Sequence, residues 1–277
     1  MVKIGKYNNL RIVKEVDFGL YLDGGEEFGE ILLPIRYVSP TFKVDDVIEV
    51  FIYLDSEDRI IATTEMPLAT VGEFALLEVV AVNQIGVFLD WGLPKDLLLP
   101  FREQMKTMEV GKSYFVYIYL DETTNRIVAS SKLSKFLSDE IPDYEENQEV
   151  DIYVTNKTEL GYKAIIDNTY WGLLYENEVF KYLKRGERTK AYIKQVRGDG
   201  KIDLSIEKSG YEKIEGLAKE VLDKIKDNDG FLNLNDKSSP EDIYRVFGIS
   251  KKNFKKAIGT LYKNKLISLE NDGIRII

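Results

Sequence analysis

Phe18-Gly19-Leu20-Tyr21-Leu22-Asp23 reappears 67 residues further along as Ile85-Gly86-Val87-Phe88-Leu89-Asp90. The neighbouring landmarks keep step: Gly5 and Gly72 also differ by 67, and Pro34 and Pro100 by 66. Leu32-Leu33-Pro34 answers Leu98-Leu99-Pro100. Phe51-Ile52-Tyr53-Leu54-Asp55 with Arg59-Ile60-Ile61-Ala62 answers Tyr117-Ile118-Tyr119-Leu120-Asp121 with Arg126-Ile127-Val128-Ala129. A fixed period of this size is the mark of a repeated structural unit. A third, weaker copy stays in register through Leu160-Gly161-Tyr162, Gly172-Leu173-Leu174-Tyr175 and Lys201-Ile202-Asp203-Leu204-Ser205.

Within one copy, segments 75–83, 86–90, 96–99, 113–121 and 126–130 are rich in Val, Ile, Leu, Phe and Tyr and are bounded by Gly, Asn, Pro and acidic turns. That is a strand signature. The last two form a hairpin, and in the third copy its turn is Gly198-Asp199-Gly200, residues suited to positive φ. Five short strands with a longer third-to-fourth connection outline an OB-type barrel. After Ser209-Gly210 the apolar period changes to helical: Ile214, Leu217, Ala218, Val221, Leu222 and Ile225 predict a helix of about 17 residues. Asn228-Asp229-Gly230 stops it, and Phe231-Leu232-Asn233-Leu234 reads as a strand. Ser239-Pro240-Glu241-Asp242 and Ser250 cap two further helices, and Asn271-Asp272-Gly273 turns a terminal hairpin. Helix, strand, helix, turn, helix, hairpin is the order of a winged helix. The expected fold is therefore mainly β: three tandem five-stranded barrels (1–65, 66–138 and 145–208) followed by an α+β winged-helix domain (211–277). The acidic connector 139–149, with Pro142, is expected to let the first two barrels move as a unit relative to the third barrel and the winged helix. Residues 131–138 are expected to form a short helix.

Composition narrows the function. The chain has 277 residues, with no Cys and no His. Disulfides, thiolate zinc sites, thiol nucleophiles and Ser-His-Asp triads are excluded. No carboxylate spacing stands out among the 47 Asp and Glu, so the protein is expected not to be an enzyme and to hold no metal or cofactor. No apolar run is long enough to cross a bilayer. Met1-Val2-Lys3-Ile4-Gly5 does not resemble a signal peptide, and a cytoplasmic location is expected. The formal charge is −9 but unevenly spread. Residues 1–135 carry 14 Lys and Arg against 21 Asp and Glu, residues 136–178 carry 2 against 11, and residues 179–277 carry 22 against 15. Local field rather than net charge steers a phosphate backbone, so the C-terminal third is the electrostatic candidate.

These repeats resemble the S1 RNA-binding domain. Its pattern has a Gly before the first strand, an aromatic-Gly-x-aromatic-hydrophobic-Asp segment, and a closing Arg/Lys-Ile-x-Leu-Ser strand. The first copy matches best through residues 18–23 and the third through residues 201–205. Across residues 1–277 the arrangement is similar to the bacterial conserved virulence factor B family, most characteristically in Phe88-Leu89-Asp90-Trp91-Gly92-Leu93-Pro94-Lys95-Asp96-Leu97-Leu98-Leu99-Pro100. The resemblance implies three S1 domains, a winged helix and RNA binding. In the module two aromatics and a His line the base-stacking face. Here Pro34 takes the His position in the first copy. The second keeps Phe88 but has Ile85 and Pro100, and the third has Leu160, Lys163 and Tyr175, with Tyr162 beside them.

Single-strand binding needs flat rings for bases and cations for phosphates. The candidate rings are Phe18, Tyr21, Phe88, Trp91, Tyr162 and Tyr175. Each faces either a ligand or the barrel core, because alternate strand residues point inward. Trp91 could instead cap a barrel or pack between domains. The candidate cations are Arg36, Arg102, Lys163, Lys194, Arg197 and Lys201, with Lys251, Lys252, Lys255 and Lys256 on the third winged-helix helix. That helix has no Arg or Gln, which points away from base-specific duplex readout. Single-stranded RNA is the expected partner, bound in post-transcriptional or expression control. Duplex DNA read through the winged helix, or a protein partner of barrels that have lost nucleic-acid affinity, remain alternatives.

Overall fold

The computed structural model describes residues 1–176, 179, 182–206, 211–270 and 272–277, without the side chains of 211–215. The anticipated turn residue Asn271, the boundary pair Ser209-Gly210 and the side chain of Ile214 lie outside the described residues.

The first barrel comprises β1 (Tyr7–Val16), β2 (Gly19–Asp23), β3 (Glu30–Pro34), β4 (Val47–Leu54) and β5 (Ile60–Thr63), with a one-turn helix α1 (Gly25–Phe28) between β2 and β3. The second comprises β6 (Phe74–Val82), β7 (Gly86–Asp90), β8 (Leu97–Pro100), β9 (Ser113–Asp121) and β10 (Arg126–Ser130). The third comprises β11 (Glu149–Lys157), β12 (Gly161–Ile166), β13 (Tyr170–Tyr175), β14 (Arg188–Val196) and β15 (Ile202–Ser205). All three are closed, with one strand order: first, second, third, fifth, fourth. The parallel third-to-fifth pairing supplies the register between copies. Leu32 sits opposite Ile61, Leu98 opposite Val128, and Leu173 opposite Asp203.

The repeat anchors have physical causes. Gly19 pairs with Pro34 and Gly86 with Pro100. A Cβ added at these glycines would lie 2.2 Å from the Leu33 carbonyl oxygen and 2.3 Å from that of Leu99. Any larger residue would push β2 off β3, or β7 off β8. Each barrel also shifts register at one place on its first strand, at Ile12/Lys14, Val79/Ala81 and Val154/Asn156. Such bulges bend a strand and help a sheet close on itself.

Val50, Ile52, Leu22 and Leu33 are fully buried in the first barrel, as are Leu89, Leu99, Val116 and Ile118 in the second. The second core also takes in Phe51, Tyr53 and Ile61 from the first barrel. This fuses the two barrels through apolar burial, worth roughly 1.5–3 kcal/mol for each large side chain.

The chain divides into two compact units. One holds Met1–Glu140, Ile152–Trp171 and Leu183–Arg188; the other holds Ile141–Asp151, Gly172–Tyr182 and Thr189–Ile277. The boundary thus runs through the third barrel, correcting the expectation that segment 139–149 uncouples that barrel from the second. The cause is an apolar seam: Ile165 and Tyr153 pack with Phe74 and Phe115. The Leu76 N–H donates to the Tyr153 hydroxyl at 3.1 Å, and Arg188 donates to the Phe74 carbonyl at 3.2 Å. Residues 133–136 form the short helix expected there, as a single 3-10 turn.

The C-terminal domain has α2 (Tyr211–Lys226), β16 (Phe231–Leu232), α3 (Pro240–Phe247), α4 (Lys251–Lys263), β17 (Ile267–Leu269) and β18 (Ile274–Ile276). Ser239 and Ser250 accept from the backbone N–H groups of Asp242 and Asn253, capping α3 and α4 as their sequences predict. Gly248 ends α3 in the left-handed conformation at φ 66°. Val221, Ile225, Ile243, Phe254, Ala257 and Ile274 form the core. No described helix is long and apolar enough to cross a membrane.

Candidate nucleic-acid interface

Strand alternation sets the first barrel's outer face. Leu20 and Leu22 point into the core, which leaves Tyr21 half-buried on the outside. Phe18, in the turn before β2, is 55% exposed, and its ring meets Tyr21 edge-on at 6.3 Å. The Lys14 ammonium lies 4.9 Å from the Tyr21 ring centre and pairs with Glu30 at 3.7 Å. Beyond Pro34, the Ile35 N–H donates to the Phe18 carbonyl at 2.9 Å. That bond fixes the turn carrying Arg36, whose guanidinium lies 4.6 Å over Tyr37. Two rings and Lys14 therefore share one patch, with Arg36 on the adjoining turn.

The second barrel repeats the construction with different residues. Phe88 takes the place of Tyr21, half-buried between Val87 and Leu89. Ile85, at the position of Phe18, is 57% exposed. The missing ring is supplied from the next turn: Phe101 is 48% exposed, and its N–H donates to the Ile85 carbonyl at 3.4 Å. Sequence reasoning missed Phe101, although its place directly after Pro100 matches that of Ile35 after Pro34. Arg102 follows and pairs with Asp121 at 3.5 Å. A cleft of about 370 Å³ is lined by Ile85, Phe88, Leu98, Lys95 and Arg126, with Asp58 at its edge. Lys95 meets the Asp58 carboxylate at 3.2 Å and Arg126 donates to it. The hydrogen bond from Lys95, reinforced by Arg126, holds the Asp58 carboxyl below the usual range.

Trp91 and Tyr162 do not belong to these faces, correcting their assignment as contact residues. Trp91 is 2% exposed; it meets Phe51 edge-on at 5.8 Å and donates to the Lys95 carbonyl at 2.7 Å. It packs between the first two barrels. Tyr162 is 6% exposed, because the residue after the barrel glycine points inward, as Leu20 and Val87 do. Lys163, at the Tyr21 position, faces outward with its ammonium 3.7 Å from the centre of the Trp171 ring. Burial pulls its pKa below the ordinary lysine value. Trp171 was absent from the sequence candidates. Its signal was alternation: Gly172 and Leu174 are buried, so Trp171, Leu173 and Tyr175 lie on the other face of β13.

In the second compact unit, Tyr175 occupies the position of Pro34 and Pro100. Arg197 donates to its hydroxyl and pairs with Asp203 at 2.9 Å. Asp203 is buried where the other copies carry Ile61 and Val128. It accepts from the Arg197 Nε at 2.9 Å, and this hydrogen bond raises the Arg197 pKa above its ordinary value. Lys194 lies 5.9 Å over the Tyr175 ring. Lys201 turns back to Asp199 at 2.7 Å in the hairpin. On α4, Lys252, Lys255 and Lys256 are exposed while Lys251 is partly covered. Lys255 pairs with Asp236 at 3.7 Å, and Lys251 donates to the Lys237 carbonyl at 3.4 Å.

Three closed barrels of one strand order, each with an outward ring or cation at the same place on its second or third strand, followed by a capped winged helix, define a multi-barrel S1 protein. The S1 domain model matches residues 4–65 and 71–132, and the CvfB-like winged helix domain model matches residues 219–276. The Bacillus subtilis protein YitL is 31% identical over 278 residues, covering 96% of this chain and 91% of that protein. Conserved virulence factor B of Staphylococcus saprophyticus is 27% identical, covering 82% of this chain and 78% of its own. A crystal structure of a multidomain protein with nucleic acid binding domains from Streptococcus pneumoniae is 25% identical, spans 99% of this chain and 98% of that one, and has a TM-score of 0.42. This chain belongs to the conserved virulence factor B family.

Proposed function

We propose that this protein binds single-stranded RNA as a non-enzymatic, cytoplasmic regulator of gene expression acting after transcription. The reading rests on one observation: each barrel carries rings and cations on its outer surface, at positions that differ from copy to copy. These are Phe18, Tyr21 and Arg36 in the first barrel, Phe88, Phe101 and Arg102 in the second, and Tyr175, Lys194 and Arg197 in the third. Rings stack any base and cations hold the backbone, which suits a flexible single strand better than a rigid duplex. The exposed α4 lysines add phosphate contacts without base readout. Fluorescence anisotropy with labelled single-stranded RNA, single-stranded DNA and duplex DNA at two salt concentrations tests this. Preferential RNA binding that weakens with salt is the expected result.

A second reading, duplex DNA binding through the winged helix, is favoured by the lysine-rich face of α4 alone. Tight duplex binding with weak single-strand binding would establish it in place of the first. Binding to no probe would favour a protein-interaction scaffold.

A further inference from the structure

An open groove of about 790 Å³ runs beside the chain segment before β9. Its size falls within the roughly 300–1,000 Å³ of small-molecule sites. Lys106, Lys112 and Arg185 line it, and Glu109, which pairs with Lys112 at 2.8 Å, is the one carboxylate among the lining residues. Arg185 is fixed in place: its Nε donates to the Thr155 carbonyl and its Nη1 to the Ser113 carbonyl, each at 3.1 Å. Carbonyl partners orient a guanidinium without neutralising it. The Trp171 ring forms part of the wall, positioned by its Nε1–H donating to Ser134 Oγ at 3.3 Å and by Lys163 at its face.

We propose that this groove binds a nucleotide unit, with a base against Trp171 and its phosphate on Lys106, Lys112 and Arg185. The inference rests on the reading of this protein as an RNA binder and extends it to a groove whose wall includes Trp171, the ring beside Lys163 on the third barrel's outer face. An oriented guanidinium suits a phosphate's paired oxygens, and a flat indole suits a base. An acidic peptide would satisfy only the cations.

The chain has 2 Trp, and Trp91 is buried, so ligand-dependent quenching reports on Trp171. Full-length protein is titrated with inorganic phosphate, AMP and a mixed-sequence RNA tetranucleotide, and tetranucleotide binding is followed in parallel by anisotropy. The tetranucleotide should quench saturably, and Trp171→Phe should abolish the change. The exposed double variant Lys106→Ala/Lys112→Ala should weaken it about tenfold or more, the lower end for a lost charge-assisted contact, with unaltered thermal unfolding. Saturable quenching by AMP as well identifies a free-nucleotide site, and quenching by the tetranucleotide alone identifies a segment of bound strand. Tetranucleotide binding by anisotropy without a Trp171 response, or a response indifferent to the lysine pair, overturns the groove and leaves RNA binding standing. Quenching by phosphate equal to that by AMP overturns the base contact. Failure of both signals overturns the groove and the RNA-binding reading together.

Discussion

Tyr21 stands on β2 between two buried leucines, so its ring must face outward while its backbone holds the barrel together. Phe18 leans on it from a turn that makes no core contact. On the proposed function, removing either ring should therefore weaken binding and leave folding intact. Phe18→Ala and Tyr21→Ala should each weaken single-stranded RNA binding by about 1–3 kcal/mol, read by anisotropy, with the unfolding midpoint unchanged. Trp91 has the opposite character. Trp91→Ala opens a cavity beside Phe51 and should cost about 3–5 kcal/mol, measured by urea denaturation. Trp91→Ala protein with wild-type stability would show that the joint between the first two barrels does not depend on this ring. Asp203 is a third kind of position: it is buried where the sister copies carry aliphatic residues, and it pairs with Arg197. The third barrel has thus exchanged a little core apolarity for a fixed arginine and tyrosine on its surface.

Elements in this chain are specified locally to different degrees. The α3 and α4 helices begin at serines that cap them, and α3 ends at a left-handed glycine. Ser239→Ala and Ser250→Ala should each cost about 1 kcal/mol, seen as a lowered midpoint of the C-terminal domain by circular dichroism. The barrel strands are legible from β-branched and aromatic runs between turns: the expected 86–90, 113–121 and 126–130 coincide with β7, β9 and β10. The one-turn helix α1 was not legible. It has four residues, no buried side chain and no side-chain cap, so it leaves no periodic signal.

Across the whole molecule, charge placement predicts the response to pH. Without histidine, no ordinary side chain titrates between about pH 6 and 8, and stability should be flat there. Acid is different. Burial pushes the Glu103 carboxyl up, but hydrogen bonds from Ser130 and Lys135 override it and leave the group below its ordinary value. For Asp55, burial is likewise outweighed, here by Arg59 and two backbone N–H groups. A carboxylate whose folded pKa lies below its unfolded one stabilises fully above the unfolded value, and that stability is lost as pH falls through the folded value. Urea midpoints should therefore decline below about pH 4, and Glu103→Gln should shallow the decline. A midpoint that instead changes between pH 6 and 8 would contradict this assignment.

The repeat, the strand count and the helix caps could be read from the chain alone, because β-propensity, turn residues and capping chemistry act over a few neighbours. The aromatic faces could be read only in part. Period-two alternation separates two sides of a strand but does not say which side a turn residue joins, or which outward ring a neighbouring barrel will cover. Phe18, Tyr21 and Phe88 were legible because they sit at or beside buried alternation. Trp91 was covered by the first barrel, Tyr162 took the inward register set by Gly161, and Trp171 and Phe101 came to the surface through β13's facing and the turn after Pro100. Those outcomes depend on contacts between residues far apart in sequence, such as Trp91 with Phe51 and Tyr153 with Phe115. Only the tertiary structure decides them.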